Sequence, residues 1–263
     1  MNQIGVLIDM DGVIYRASEP IPGAVRFINF LEQQCVPFLF VTNNSARSAH
    51  EYSHKLHDME IKAPPASILT AGQVAVDFLT KHYDGGRILC IGEPSMEQGL
   101  LNAGFQLVTD ERPDCVLMAE MRSLSYDLLC VAARHVSEGA RFVATNPDLI
   151  IPCEHGFILG CGAMTRVLEC STGRSARFLG KPHPEILECA TGILGLHHDE
   201  LVMIGDSLNT DIELAVRNGL RSVLVMSGAT DRQGLESSCI RPTRVVGSVE
   251  DLADISPFDW FSS

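Results

Sequence analysis

The chain has 263 residues, 46% hydrophobic and 20% charged, which is long enough for one large domain or two medium ones. A formal net charge of −13 argues against a nucleic-acid-binding surface, which needs clustered Lys and Arg, and means that an anionic ligand requires a metal ion or a few placed cations. No apolar run reaches the roughly 18 residues that span a membrane, and the short run in MNQIGVLIDMDG lacks a basic leader, so the chain reads as cytoplasmic with no membrane partner.

Strand and helix signals alternate along the chain. GVLID (5–9) is a short apolar run ending in an acid, residues 23–34 have helical periodicity, and FLFVTN (38–43) is a second buried strand. Ser45 is placed to cap a helix running to about Glu60, and Pro64-Pro65 then breaks the pattern. A second set of units follows: helix 71–82, strand 87–92, helix 94–103, strand 115–120, an amphipathic helix over 125–138 and strand 141–145. Residues 147–162, rich in Pro, Gly and polar side chains, read as a long loop, and Glu154 and His155 within it read as exposed polar residues. The first pattern resumes after about residue 178, with helix 183–194, strand LVMIGD (201–206), helix 208–218 and strands at 222–227 and 245–248. Apolar, non-alternating strands separated by helices predict an α/β protein with a mostly parallel sheet covered on both faces. The nine Cys include no Cys-x-x-Cys pair and read as small hydrophobes.

Ligands of open parallel sheets bind at the carboxyl ends of the strands. Asp9 closes the first strand with Asp11 two residues on, Thr42 and Asn43 close the second, and Asp206 closes LVMIGD with Asp211 in the helix beyond. Lys181 lies in Gly-Lys-Pro before another helix. Carboxylates gathered at one rim repel unless a cation sits among them, and hard oxygen ligands suit Mg²⁺. Lys181 and Thr42 offer donors to phosphate oxygens, and an Asp carboxylate is an established nucleophile toward phosphorus.

Four segments in order, IDMDGV (8–13), VTNNS (41–45), GKPHPE (180–185) and GDSLNTD (205–211), resemble the signature motifs of the haloacid dehalogenase superfamily. With PIPGA (20–24) and ATNPD (144–148), the whole chain is similar to the NagD-like, 4-nitrophenyl-phosphatase-like subfamily. The resemblance implies a Rossmann-like core, here residues 1–66 and 179–263, with an α/β cap, here 67–178, inserted between the second and third motifs. It implies Asp9 as nucleophile and Asp11 as general acid and base. It further implies Mg²⁺ on the Asp9 side chain, the Asp11 carbonyl and Asp206, with Asp211 in support. Thr42, Lys181 and Asn43 would then bind the phosphoryl group, and Asn146 and Asp148 resemble a cap element that faces the substrate. The expected activity is hydrolysis of a small phosphomonoester, such as a nucleoside monophosphate, pyridoxal phosphate, sugar phosphate or aryl phosphate, through a phospho-aspartyl intermediate. A phosphotransferase or mutase using the same intermediate, and a binding module phosphorylated on Asp9, are the alternatives. Asp11 favours turnover over a lasting phosphorylated state, and a homodimer is compatible with each reading.

Overall fold

The apolar runs GVLI, FLFVT, LVMIG and RSVLV become neighbouring strands of one sheet in the computed structural model, which describes residues 4–83, 85–153 and 156–261. The chain divides into two compact units: the first comprises Met1–Thr42, Ala49–Leu69 and Lys181–Ser263, the second Asn43–Ser48 and Thr70–Gly180. The division therefore runs at Leu69/Thr70 and Gly180/Lys181, and it assigns the short segment after Thr42 to the second unit.

The first unit is built on a six-stranded sheet in the order Arg244–Val246, Arg221–Val225, Leu201–Gly205, Gly5–Ile8, Phe38–Thr42, Ile68–Thr70. Gly5–Ile8 lies parallel to both neighbours, with Leu7 opposite Met203 on one side and Leu39 on the other. Helices cover a parallel sheet on both faces, so these strands are apolar throughout instead of alternating. Helix Ala24–Gln33 turns Ala24, Phe27, Ile28 and Leu31 inward at helical spacing. Phe27 meets the buried ring of Trp260 at 6.0 Å between centroids, and the Trp260 indole N–H donates to the Ile255 carbonyl at 2.9 Å.

The second unit repeats the principle with a five-stranded parallel sheet ordered Arg177–Phe178, Arg141–Ala144, Cys115–Met118, Arg87–Ile91, Gln106–Leu107. Its helices start on polar side chains: Thr70 and Gln73 form a reciprocal capping box on Ala71–His82, and Ser125 caps Tyr126–Ser137. Among the described residues, no helix is long and apolar enough to cross a membrane.

Two expectations fail here. The helix after Thr42 begins at Ala49, not near Ser45, because the Ser45 hydroxyl is engaged elsewhere, 3.0 Å from Thr145 Oγ1 and accepting from the Glu120 N–H. The segment 147–162 is no plain loop: Ile150–Cys153 and Gly156–Leu159 pair as an antiparallel hairpin, and helix Cys161–Thr172 starts directly after it. The apolar runs Ile150-Ile151 and Phe157-Ile158-Leu159 are too short and too closely flanked by Pro and Gly to read as strands before they are seen paired. Glu154 and His155 lie outside the described residues.

Replacing Trp260 by Ala removes the largest fully buried side chain of the first unit. The substitution is expected to lower the unfolding free energy by about 3–5 kcal/mol, seen as an earlier urea midpoint by circular dichroism. An unchanged midpoint would show that the ring carries no core energy.

Candidate active site

Asp9 follows the strand Gly5–Ile8, with its N–H donating to the Ile204 carbonyl of the neighbouring strand at 2.9 Å. Asp206 follows that neighbour, so adjacency of the two strands sets the two acids side by side. Asp211 is brought back by a π-helical turn over Leu208–Ile212, a widened turn of the kind often found at functional positions. Its Oδ2 accepts from the Ser207 N–H at 3.2 Å. Carboxylate oxygens of Asp9, Asp206 and Asp211 all lie within 4.8 Å of one another, and all three residues are buried. Among the described residues, no other cluster of three or more His, Cys, Asp or Glu side chains could hold a metal.

Lys181 inserts a single cation into this group. Only 2% of the residue is exposed, and its Nζ donates to Asp9 Oδ1 at 2.6 Å and to the Val41 carbonyl at 3.1 Å. Asp211 Oδ1 lies 2.7 Å from the same nitrogen, as an ion pair without hydrogen-bond alignment. Burial alone would push the lysine down, but the charges of Asp211 and Asp9 outweigh it and raise its pKa above the ordinary lysine value. The acids go the other way. Burial, reinforced by the charges of Asp211 and Asp206 and opposed by Lys181, lifts Asp9 well above the carboxylate range. Asp206 is pushed up to about 7 by burial and by Asp211, against the Ala229 N–H and Lys181. With the acids ionised, three carboxylates face one ammonium, an excess of two negative charges that a divalent cation with oxygen ligands would cancel. The donor set fits Mg²⁺, with Asp9, Asp206 and Asp211 as the side chains available to hold it.

The backbone closes tightly around Asp206. Gly12 has φ of +78°, and a Cβ there would fall 2.2 Å from Asp206 Oδ2; at Gly228 the gap would be 1.9 Å. The neighbouring Ala229 N–H donates to the same oxygen at 2.5 Å. Gly12 and Gly228 escape motif reasoning because only the fold shows what they approach. Asp11 lies on the turn that Gly12 makes and is exposed, with Oδ2 accepting from the Tyr15 hydroxyl at 3.2 Å. Thr42 is buried at the end of Phe38–Thr42.

Asn43, Asn146 and Asp148 belong to the second unit and meet one another there. The Asn43 amide donates to Asp148 Oδ2 at 3.0 Å, and the Asn146 amide donates to the Asn43 carbonyl at 2.7 Å. Asn146 Oδ1 in turn accepts from the Asp148 N–H at 3.1 Å. Ser45, Thr145 and Glu120 extend the network, and Ser95 donates to the Ala46 carbonyl at 2.9 Å. The carboxyl edge of the second sheet, where such sheets commonly receive ligands, thus receives residues 43–48. Gly180 belongs to this contact too: a Cβ there would lie 2.6 Å from Asn43 Oδ1.

Removing one partner of a buried ion pair leaves the others uncompensated. Lys181→Met is therefore expected to lower the stability of the metal-free protein by about 3–5 kcal/mol at pH 8. The loss should shrink at pH 5, where protonation relieves the carboxylates. Equal losses at both pH values in denaturant titrations would contradict this charge balance.

A model of haloacid dehalogenase-like hydrolases matches residues 6–106, and a second HAD-hydrolase-like model matches 178–252. The chain is 35% identical over 237 residues to an acid sugar phosphatase of Staphylococcus epidermidis, covering 90% of this chain and 92% of that one. A thermostable NPPase from Geobacillus stearothermophilus superposes with a TM-score of 0.89 at 36% identity, covering 95% of this chain and 98% of that one. NagD from E. coli superposes with a TM-score of 0.88 at 31% identity, over 95% and 98% of the two chains. A 4-nitrophenylphosphatase from Thermotoga maritima gives a TM-score of 0.91 at 29% identity, over 96% and 97%. Matched along nearly its whole length by such relatives, the chain belongs to the haloacid dehalogenase-like hydrolases, in the branch that includes NagD and the 4-nitrophenylphosphatases.

Proposed function

We propose that this protein is a Mg²⁺-dependent phosphatase of small phosphorylated metabolites that works through a phospho-aspartyl intermediate on Asp9. The chain is a phosphoric monoester hydrolase by its family and relatives. The observation that carries the finer reading is the buried group of Asp9, Asp206 and Asp211 around Lys181. It offers one nucleophilic carboxylate, a cation next to it, and a charge deficit that a divalent metal fills.

In the first step an Asp9 oxygen bonds to phosphorus and the bond from phosphorus to the leaving oxygen breaks. That oxygen takes a proton from Asp11. In the second step Asp11, now a carboxylate, takes a proton from water, whose oxygen attacks phosphorus as the bond to Asp9 breaks and inorganic phosphate departs. Lys181 and Thr42 bind the phosphoryl oxygens. Asp9, Asp206 and Asp211, with the Asp11 carbonyl, would hold Mg²⁺, which would supply charge neutralisation to the phosphoryl group.

Asn43 lies next to Thr42 in sequence and is held by Asn146 and Asp148, which supports a role for these two in setting the phosphate-binding segment. We assign selection among leaving groups to the second unit, whose hairpin exposes Ile150, Phe157 and Leu159. The substrate class favoured is a sugar phosphate, after the acid sugar phosphatases, with aryl phosphates as surrogates, after the 4-nitrophenylphosphatases.

Asp9→Asn keeps the shape of the side chain and removes the nucleophile. It is expected to leave the circular dichroism spectrum intact and to reduce turnover by several orders of magnitude; retention of more than a few per cent of the rate would exclude Asp9 as nucleophile. The metal makes a separate, pH-dependent demand. In the metal-free protein Asp206 and Asp9 take up protons more readily than in the unfolded chain, so their contribution to stability falls as pH rises from about 4 toward 7. Mg²⁺ binds the ionised acids and offsets that loss. Its increment to Tm is therefore expected to grow between pH 5 and pH 7.5, and EDTA should abolish both increment and activity. An increment independent of pH in thermal melts would place the ion elsewhere.

A further inference from the structure

The turn that carries Asp11 is closed by a residue to which the phosphatase chemistry assigns no task. The Tyr15 ring is fully buried, within the core cluster that also holds Ile14, Tyr52 and Leu56. Lys55 Nζ stands over one face of it, 3.4 Å from the centroid. Its backbone is fixed as well: the Met10 carbonyl accepts from the N–H groups of Val13, Ile14 and Tyr15, and the Gly12 N–H donates to the Tyr15 carbonyl at 2.8 Å. Across the turn, Arg16 Nε donates to the Ser227 carbonyl at 2.7 Å, and the Ser227 hydroxyl donates to the Gly12 carbonyl at 2.7 Å.

From this rigid base the Tyr15 hydroxyl reaches Asp11 Oδ2 at 3.2 Å. Asp11 itself is exposed, and an exposed carboxyl on a turn has several rotamers open to it. Proton delivery in the transition state needs one of them, and holding a group in its reactive geometry lowers the barrier. We propose that Tyr15 is a positioning residue for Asp11: its buried hydroxyl selects the carboxyl rotamer from which the leaving oxygen receives its proton. With Oδ2 accepting from Tyr15, Oδ1 is the oxygen assigned to carry that proton. The inference rests on Asp11 being the general acid and base.

The chemistry separates this role from a structural one. When the bond from phosphorus to the leaving oxygen breaks, its electron pair stays on that oxygen. An alkoxide needs the proton as it departs, whereas 4-nitrophenolate is a stable anion that leaves without it. A misplaced general acid therefore slows alkyl phosphates selectively. The parameter to read is kcat/KM, which reports formation of the phosphoenzyme and excludes the later hydrolysis common to all substrates.

The test compares wild type, Tyr15→Phe and Asp11→Asn with Mg²⁺ present, on 4-nitrophenyl phosphate and on an alkyl phosphate that the wild type turns over. Phe preserves the ring, and Asp11 is exposed, so no buried polar group is orphaned and the variant folds. Tyr15→Phe is expected to lower kcat/KM for the alkyl ester about 10- to 100-fold and for the nitrophenyl ester less than about 3-fold. Equal losses on both substrates, or no loss on the alkyl ester, would overturn the positioning role. If Asp11→Asn keeps its rate on the alkyl ester, the general-acid assignment itself falls and takes this inference with it. If Asp11→Asn is inactive on that ester while Tyr15→Phe loses equally on both, only the inference falls.

Discussion

Three buried carboxylates set against one buried lysine are the constraint on which the first unit's construction turns. Charges taken out of water are costly, and an excess of one sign in a small volume is costlier still. Every local feature around the group acts on that imbalance. Lys181 reaches Asp9 and Asp211 at once, the Ala229 N–H donates to Asp206, and the Ser207 N–H donates to Asp211. Glycines at 12 and 228 let the backbone come close enough to wall in Asp206. What remains is an arrangement that is poor for stability by itself and well suited to a divalent cation and a phosphoryl group.

The parallel sheet makes that arrangement possible. Neighbouring strands in register end at the same level, so acids that follow Gly5–Ile8 and Leu201–Gly205 are delivered together without any contact between them having to hold the chain. The π-helical turn then folds Asp211 back toward the same point. Rigid strands place Asp9 and Asp206, while Asp11, the proposed acid and base, sits on the turn just beyond. The hydrogen bond from Tyr15 links that turn to the core.

The second unit uses the carboxyl edge of its own sheet differently. Ser45, Ala46 and Asn43 take hydrogen bonds there from, or give them to, Thr145, Glu120, Ser95, Asn146 and Asp148. Thr42 and Asn43 are consecutive residues that fall in different units.

Much of this was legible in the amino-acid order. An apolar run of four or five residues followed by a polar one is a local pattern, and it marked Asp9, Thr42 and Asp206 as strand-end residues because burial of a strand is written in its own side chains. The same locality marked helices over 23–34, 71–82 and 125–138, which form as Ala24–Gln33, Ala71–His82 and Tyr126–Ser137. Ser45 misled for the matching reason: its composition suits a helix cap, but its partners are Glu120 and Thr145, 75 and 100 residues away. The hairpin at 150–159 was hidden because its two short apolar runs acquire meaning only when Ile150 faces Leu159. What Tyr15 and Gly12 approach leaves no mark in the local sequence and appears only in the fold. The sequence by itself determined which segments are buried and which polar groups end them; tertiary structure decided which of those groups meet, since a hydrogen bond or ion pair between distant residues leaves no periodic trace in the chain.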